Sequence, residues 1–382
     1  MSQINVRNLS NENDDGAPDI VGVSTFSATS YIVPPVGTTA QRPTNPQGGD
    51  LRFNTDTASL EYFRGNTLGW TQIEMTSPDL GGGTGSNTGL GTRMLAGGGD
   101  TSSSPATYTN QIDFLTISTF GNGQDFGDLT TASTGAGGSA SRTRGLFTNR
   151  RVAGSPAYTN EIEYVTIAST GNSQDFGDST VSNGYNRAVS SQIRSLGLAY
   201  SSINTINYVT IATTGNAVDF GDQTGVLEGG AECASSTRGI VAGGGNLANI
   251  DFVTIMTTGN AQDFGDLSAT VSGGSGLSNS TRGVLKIGFQ STKTNAIEFI
   301  TIATKSNSTD FGDAVNVPFS LAAGASPTRG IFAGGGSPAS PYPKTNVIQK
   351  IEILTTGNAV DFGDLNFASS HAAGLTNGHG GL

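Results

Sequence analysis

At 382 residues, with 56 glycines and only 13% charged residues, the chain builds its polar surface from Ser, Thr and Asn, which are poor helix formers and favour turn-rich β structure. Its formal net charge of −11 argues against binding nucleic acid or an anionic membrane through bulk electrostatics. A lone cysteine, Cys233, excludes an intrachain disulfide and thiolate metal chemistry, and no apolar run approaches the ~20 residues that span a bilayer.

Residues 1–45 are polar and non-periodic, and Pro34, Pro35 and Pro43 in "IVPPVGTTAQRP" forbid helix and favour extended chain. This stretch reads as an extended arm that needs a partner or another copy to lie on. Its opening, "MSQINVRNLSNENDD", holds no apolar secretory core. Residues 46–78 carry a three-strand meander. In it Leu51/Phe53, Leu60/Tyr62 and Trp70/Gln72/Glu74 alternate, with "NTDT" and "RGNTLG" as turns. So short a module buries too little apolar surface to fold alone, which predicts attachment to another body or a homo-oligomer, for instance a trimer. Residues 79–91, containing "GGGTG", read as a flexible linker.

From residue 92 onward the chain repeats itself. "DFGD" begins at Asp125, Asp175, Asp219, Asp263, Asp310 and Asp361, at spacings of 50, 44, 44, 47 and 51 residues. A second anchor, usually "TRG", places Arg93, Arg144, Arg194, Arg238, Arg282 and Arg329 in register, six of the fourteen arginines. Between the anchors runs a strand such as "IDFVTI" (250–255), β-branched, aromatic and bounded by turn residues. "TGN" supplies a turn, "AQDFGD" a further strand, "RGIVA" another, and a Ser/Gly/Ala segment a fourth. Four short strands per unit, six times over, predict an all-β fold: a six-bladed propeller over residues 92–382. The tail "SSHAAG" is similar to "SLAAGA" of the sixth unit, so a C-terminal strand is expected to complete the first blade and leave no open edge.

The blade resembles the kelch repeat, with a strand ending in glycines at Gly97–Gly99, Gly243–Gly245 and Gly334–Gly336. The kelch tryptophan is replaced by Phe126, Phe176, Phe220, Phe264, Phe311 and Phe362, and the glycine feature is lost in the second, third and fifth units. Thr39 through Trp70, "AQRP…GDLRFNT…LEYF…W", and the "TRG…AGGG…IDFVTI…TGNA.DFGD" units resemble structural proteins of tailed bacteriophages, especially marine and cyanobacterial ones. That resemblance implies a virion component assembled in the host cytoplasm, joined to other virion proteins through residues 1–78. It implies either a tail fibre or adhesin that contacts a host-surface glycan or receptor, or a decoration protein without a host ligand.

Each motif phenylalanine is expected to pack between blades, the glycine after it to allow close backbone approach, and the flanking aspartates to accept turn amides or pair with the arginines. Asp-Phe-Gly also spells a kinase magnesium motif, but no Lys-bearing strand, His-Arg-Asp loop or nucleotide loop accompanies it. A calcium site would need six to eight oxygens. The two histidines, His371 and His379, both fall in the tail, where His371 is expected at a surface or blade edge. Catalytic residues, cofactors and metals are therefore not expected, and a surface-glycan hydrolase would need a carboxylate pair that no part of the sequence singles out. Candidate ligand-binding residues are Tyr108, Tyr158 and Tyr342, at comparable places in the long loops of the first, second and sixth units. Each either pins its own loop or offers a ring face to a sugar or protein.

Overall fold

The computed structural model describes residues 34–57, 59–72, 92–103, 105–119, 121–154, 157–198, 203–226, 229–288, 294–316, 318–337 and 342–382. Residues 1–33 of the expected arm and the linker 79–91 lie outside them. The chain divides into two units, Met1–Met75 and Thr76–Leu382. Among the described residues there is no α-helix, only a 3-10 turn at Thr39–Gln41.

The small unit is a four-stranded sheet in the order Val36–Gly37, Leu51–Asn54, Ser59–Phe63, Trp70–Gln72. Val36–Gly37 pairs in parallel with Phe53–Asn54, so two residues of the stretch expected as an extended arm form an edge strand of this sheet. The buried face of this sheet is largely polar. Leu51 is 45% exposed, whereas Arg52, Asn54 and Glu61 are buried on the opposite face with Phe63. The cause is a carboxylate at its centre. Glu61 takes Arg42 at 2.6 Å and Arg52 at 3.4 Å and accepts the Asn54 amide at 3.1 Å. A buried charge is tolerable only with such company, and the Arg42 hydrogen bond holds the Glu61 carboxyl below its ordinary range. Trp70 lies 5.9 Å from both guanidinium groups.

The large unit holds six antiparallel sheets. In the fourth repeat the order is Ala231–Ala234, Arg238–Gly244, Leu247–Thr254, Gln262–Val271. Thus the Ser/Gly/Ala segment is the innermost strand, "TRG" opens the second, and "DFGD" lies in the outermost. The innermost strand of the first sheet comes from the other end of the chain: Ala373–Thr376 pairs with Arg93–Gly97. Buried apolar side chains form six clusters, one at each junction between successive sheets and one between the sixth and the first. Each contains one motif phenylalanine, 2–4% exposed. Because the middle of each sheet is covered on both faces, strands such as Arg238–Gly244 and Ser275–Ser278 are buried at nearly every position rather than in strict alternation.

The repeated "DFGD" is a β-bulge with a purpose. Ile112 pairs with Gly127 and Asp113 with Asp125, so Phe126 is the extra residue; the same shift recurs in the other five sheets. Freed from the ladder, the Phe126 carbonyl accepts Gly171 N–H of the next sheet at 2.7 Å. The second aspartate acts through its backbone. In all six junctions its N–H donates to the "TGN" or equivalent asparagine Oδ1 of the next sheet, at 3.0–3.1 Å. A Cβ on Gly127 would lie 2.5 Å from the Gly171 carbonyl, which explains the glycine. The register arginines do not serve the aspartates either: Arg93, Arg144, Arg194, Arg238, Arg282 and Arg329 donate to carbonyls of Ile167, Ile211, Ile255, Ile302, Ile353 and Ile117 in the next sheet. Five of them also lie over an aromatic ring of their own sheet at 4.4–4.8 Å.

Candidate functional site

One end of the large unit departs from the repeat. Two residues before each innermost strand the backbone is left-handed: Gly135, Tyr185, Gly229, Gly273, Ser320 and His371 have φ of 67°, 56°, 67°, 69°, 53° and 57°. Glycine adopts this conformation freely, whereas other residues lose about 1–2 kcal/mol in it. Their backbones follow one another around this end. Gly135 N–H donates to His371 O, His371 N–H to Ser320 O and Ser320 N–H to Gly273 O, at 2.8–3.0 Å. Three repeats therefore fill a glycine position with Tyr, Ser and His. Strain held at such positions is a mark of function.

His371 is not a surface or blade-edge residue. Its side chain is 22% exposed, and Nδ1 lies 3.1 Å from Asp100 Oδ2 and 3.1 Å from Ser370 Oγ. Burial lowers the imidazole below its ordinary pKa, with Arg187 and Lys344 adding to the effect and Asp100 opposing it. Burial thus favours the neutral ring. The Asp100 contact places its proton on Nδ1 and leaves the Nε2 lone pair as an acceptor. Tyr185 and Phe319 meet the imidazole edge-on at 5.1 and 5.9 Å. Arg151 Nη1 donates to the Tyr185 hydroxyl at 3.1 Å. Lys344, bridged to Gly336, is held below its ordinary pKa by burial and is raised by Asp100.

Two of the sequence-predicted tyrosines join this group. Tyr108 pairs with Asp100 across adjacent strands. Tyr158, 38% exposed, bridges Arg151 and packs where a Cβ on Gly184 would lie 2.8 Å from its ring. Tyr342 is 51% exposed with φ 61°, two residues before Lys344. Asp100, Arg151, Tyr185, Lys344 and His371 were not read from the sequence as site residues. The signal was there, since an alignment of the six units shows Tyr, Ser and His where the others carry Gly.

The innermost strands enclose a cavity of about 60 Å³ bordered by Gly138, Ala188, Cys233, Gly276, Gly324 and Gly374, room for a few waters only. At its far end His379 Nε2 donates to Ala140 O at 2.8 Å while Nδ1 accepts Gly381 N–H at 3.0 Å. Among the described residues no group of three His, Cys, Asp or Glu side chains could hold a metal ion. A scan against protein-family models gives no match, and no curated protein matches the chain.

Proposed function

We propose that the six sheets are the blades of a closed six-bladed propeller, and that this propeller is the non-enzymatic recognition domain of a virion structural protein. The sheets' neighbour relations, running on from the sixth to the first, support the closed ring. The virion assignment rests on the resemblance of Thr39–Trp70 and the repeats to tailed-phage structural proteins. Residues 1–78 would supply the attachment to other virion proteins. The observation that carries recognition is convergence: loops of the first, second and sixth repeats bring unrepeated side chains to one end of an otherwise repeated frame. Rigid scaffolds with variable loops are how binding surfaces are commonly built. The test is adsorption of the full chain to host cells, with Tyr158→Ala and Tyr342→Ala as variants. Saturable adsorption weakened by either substitution is expected. Failure to adsorb or compete at high concentration removes the recognition role and leaves a scaffold.

A further inference from the structure

Two cations at the His371 end, Arg151 and Lys344, form no ion pair among the described residues. In a chain with 30 acidic and 19 basic residues, Arg150 is bound by Glu161 and Glu163, Arg187 by Glu232, and Arg42 and Arg52 by Glu61. Among the described residues Arg151 and Lys344 lie within 4 Å of no carboxylate, and Asp100, the acid that acts on Lys344, is engaged by His371. Arg151 directs one nitrogen to Tyr185 and leaves Nε buried without a partner. A second orphan is Ser320, 1% exposed, whose Oγ also lacks a partner. A buried donor or acceptor left unmet is costly, and these stand beside positions where Tyr185, Ser320 and His371 hold a left-handed backbone that other repeats give to glycine.

We propose that this end binds an acidic sugar, its carboxylate on Arg151 and Lys344, and its ring against Tyr185, Phe319 and Tyr158. This rests on the recognition role above and specifies its ligand. A hydroxyl group of the same sugar finds an acceptor in His371 Nε2. The mixture of groups selects the class. A bare phosphate would meet the two cations but offers no face to the aromatic walls. A neutral sugar would use the rings and the acceptor but leave both cations unmatched. A carboxylated pyranose uses all of them, and guanidinium is suited to bidentate carboxylate contact.

The test uses the full chain with methyl β-glucuronoside and its neutral analogue methyl β-glucoside, read by saturation-transfer NMR. The acid is expected to bind at least tenfold more tightly than the neutral glycoside, and more weakly as salt is raised. Arg151→Ala should remove the preference for the acid while the melting temperature stays within a few degrees, and Arg151→Lys should restore part of it. Equal binding of the two glycosides, or an acid preference that survives Arg151→Ala, overturns the proposal. If neither glycoside binds while the chain still adsorbs to host cells, the acidic-sugar assignment falls and the recognition role stands. If the chain neither binds nor adsorbs, both fall.

Discussion

The junctions between sheets and the His371 end are built from the same repeat, yet they treat it in opposite ways. At the junctions the same bulge, the same phenylalanine and the same asparagine clasp recur six times. At the His371 end the same left-handed backbone recurs six times, but the residues on it differ. Repetition there fixes a frame, and departure from repetition marks where the frame is used. A residue conserved across units within one chain therefore points to assembly, and a broken one points to recognition.

The comparison is broken most severely by opening the frame. Removing residues 365–382 takes away Ala373–Thr376 and leaves the edge of Arg93–Gly97 unpaired. The cooperative thermal transition should be lost or the protein should associate through that edge. A monomer with an unchanged melting curve would show that the sheets do not depend on this pairing. Next come the junctions: Phe264→Ala should cost about 3–5 kcal/mol and Asn260→Ala about 1 kcal/mol, measured by chemical denaturation. Because the junctions are equivalent, Phe220→Ala should cost nearly as much as Phe264→Ala. A large difference would mean that one junction carries the fold.

Between frame and site stands Glu232, on an innermost strand. Burial pushes its carboxyl up from 4.5 to about 7, with Arg187 opposing the rise. Between these values the folded chain holds a proton that the unfolded chain releases. Stability therefore falls as pH rises through 4.5 to 7, by at most about 3 kcal/mol at ~1.4 kcal/mol per pKa unit. Glu232→Gln escapes that loss. Its advantage over the unsubstituted chain should be absent at pH 4 and fully developed by pH 8, as read from denaturation midpoints. An advantage independent of pH would point to packing instead.

How much of this was legible in the sequence follows the same division. The strands and the motif phenylalanines could be read because repetition multiplies a weak signal sixfold. The role of "DFGD" could be read only in part. Its glycine was expected to allow close approach, but a bulge that re-aims a carbonyl at the next sheet is a matter of register, which no single strand displays. The buried acids and amides Asp113, Glu163, Asn207, Asp251, Glu298 and Gln349 look like solvent-facing positions in "IDF" or "IEY". Some of their partners, such as Thr224 N–H on Asp251 at 3.1 Å and Asn366 N–H on Asp113 at 2.8 Å, come from another repeat. His371 was misplaced for a similar reason, since Asp100 lies far from it in sequence. In the small unit alternation was visible, but it did not show that the buried face would hold Arg52, Asn54 and Glu61, because Glu61 brings its counter-ions with it.

The smallest expected effect gives the finest test of the contrast. Ser320 sits in the left-handed region at φ 53° with an unpartnered, buried hydroxyl. Ser320→Gly removes both penalties, while the added freedom of glycine in the unfolded chain costs roughly 0.5–1 kcal/mol. The left-handed conformation and the desolvated hydroxyl together outweigh that, so the variant should be more stable by about 1 kcal/mol. His371→Gly and Tyr185→Gly relieve the same backbone but also discard the Asp100 contact and the ring packing, so neither should gain. A Ser320→Gly variant that is less stable would mean that the hydroxyl has a partner the fold depends on. A variant that is more stable but binds the acidic sugar less well would show strain retained for recognition.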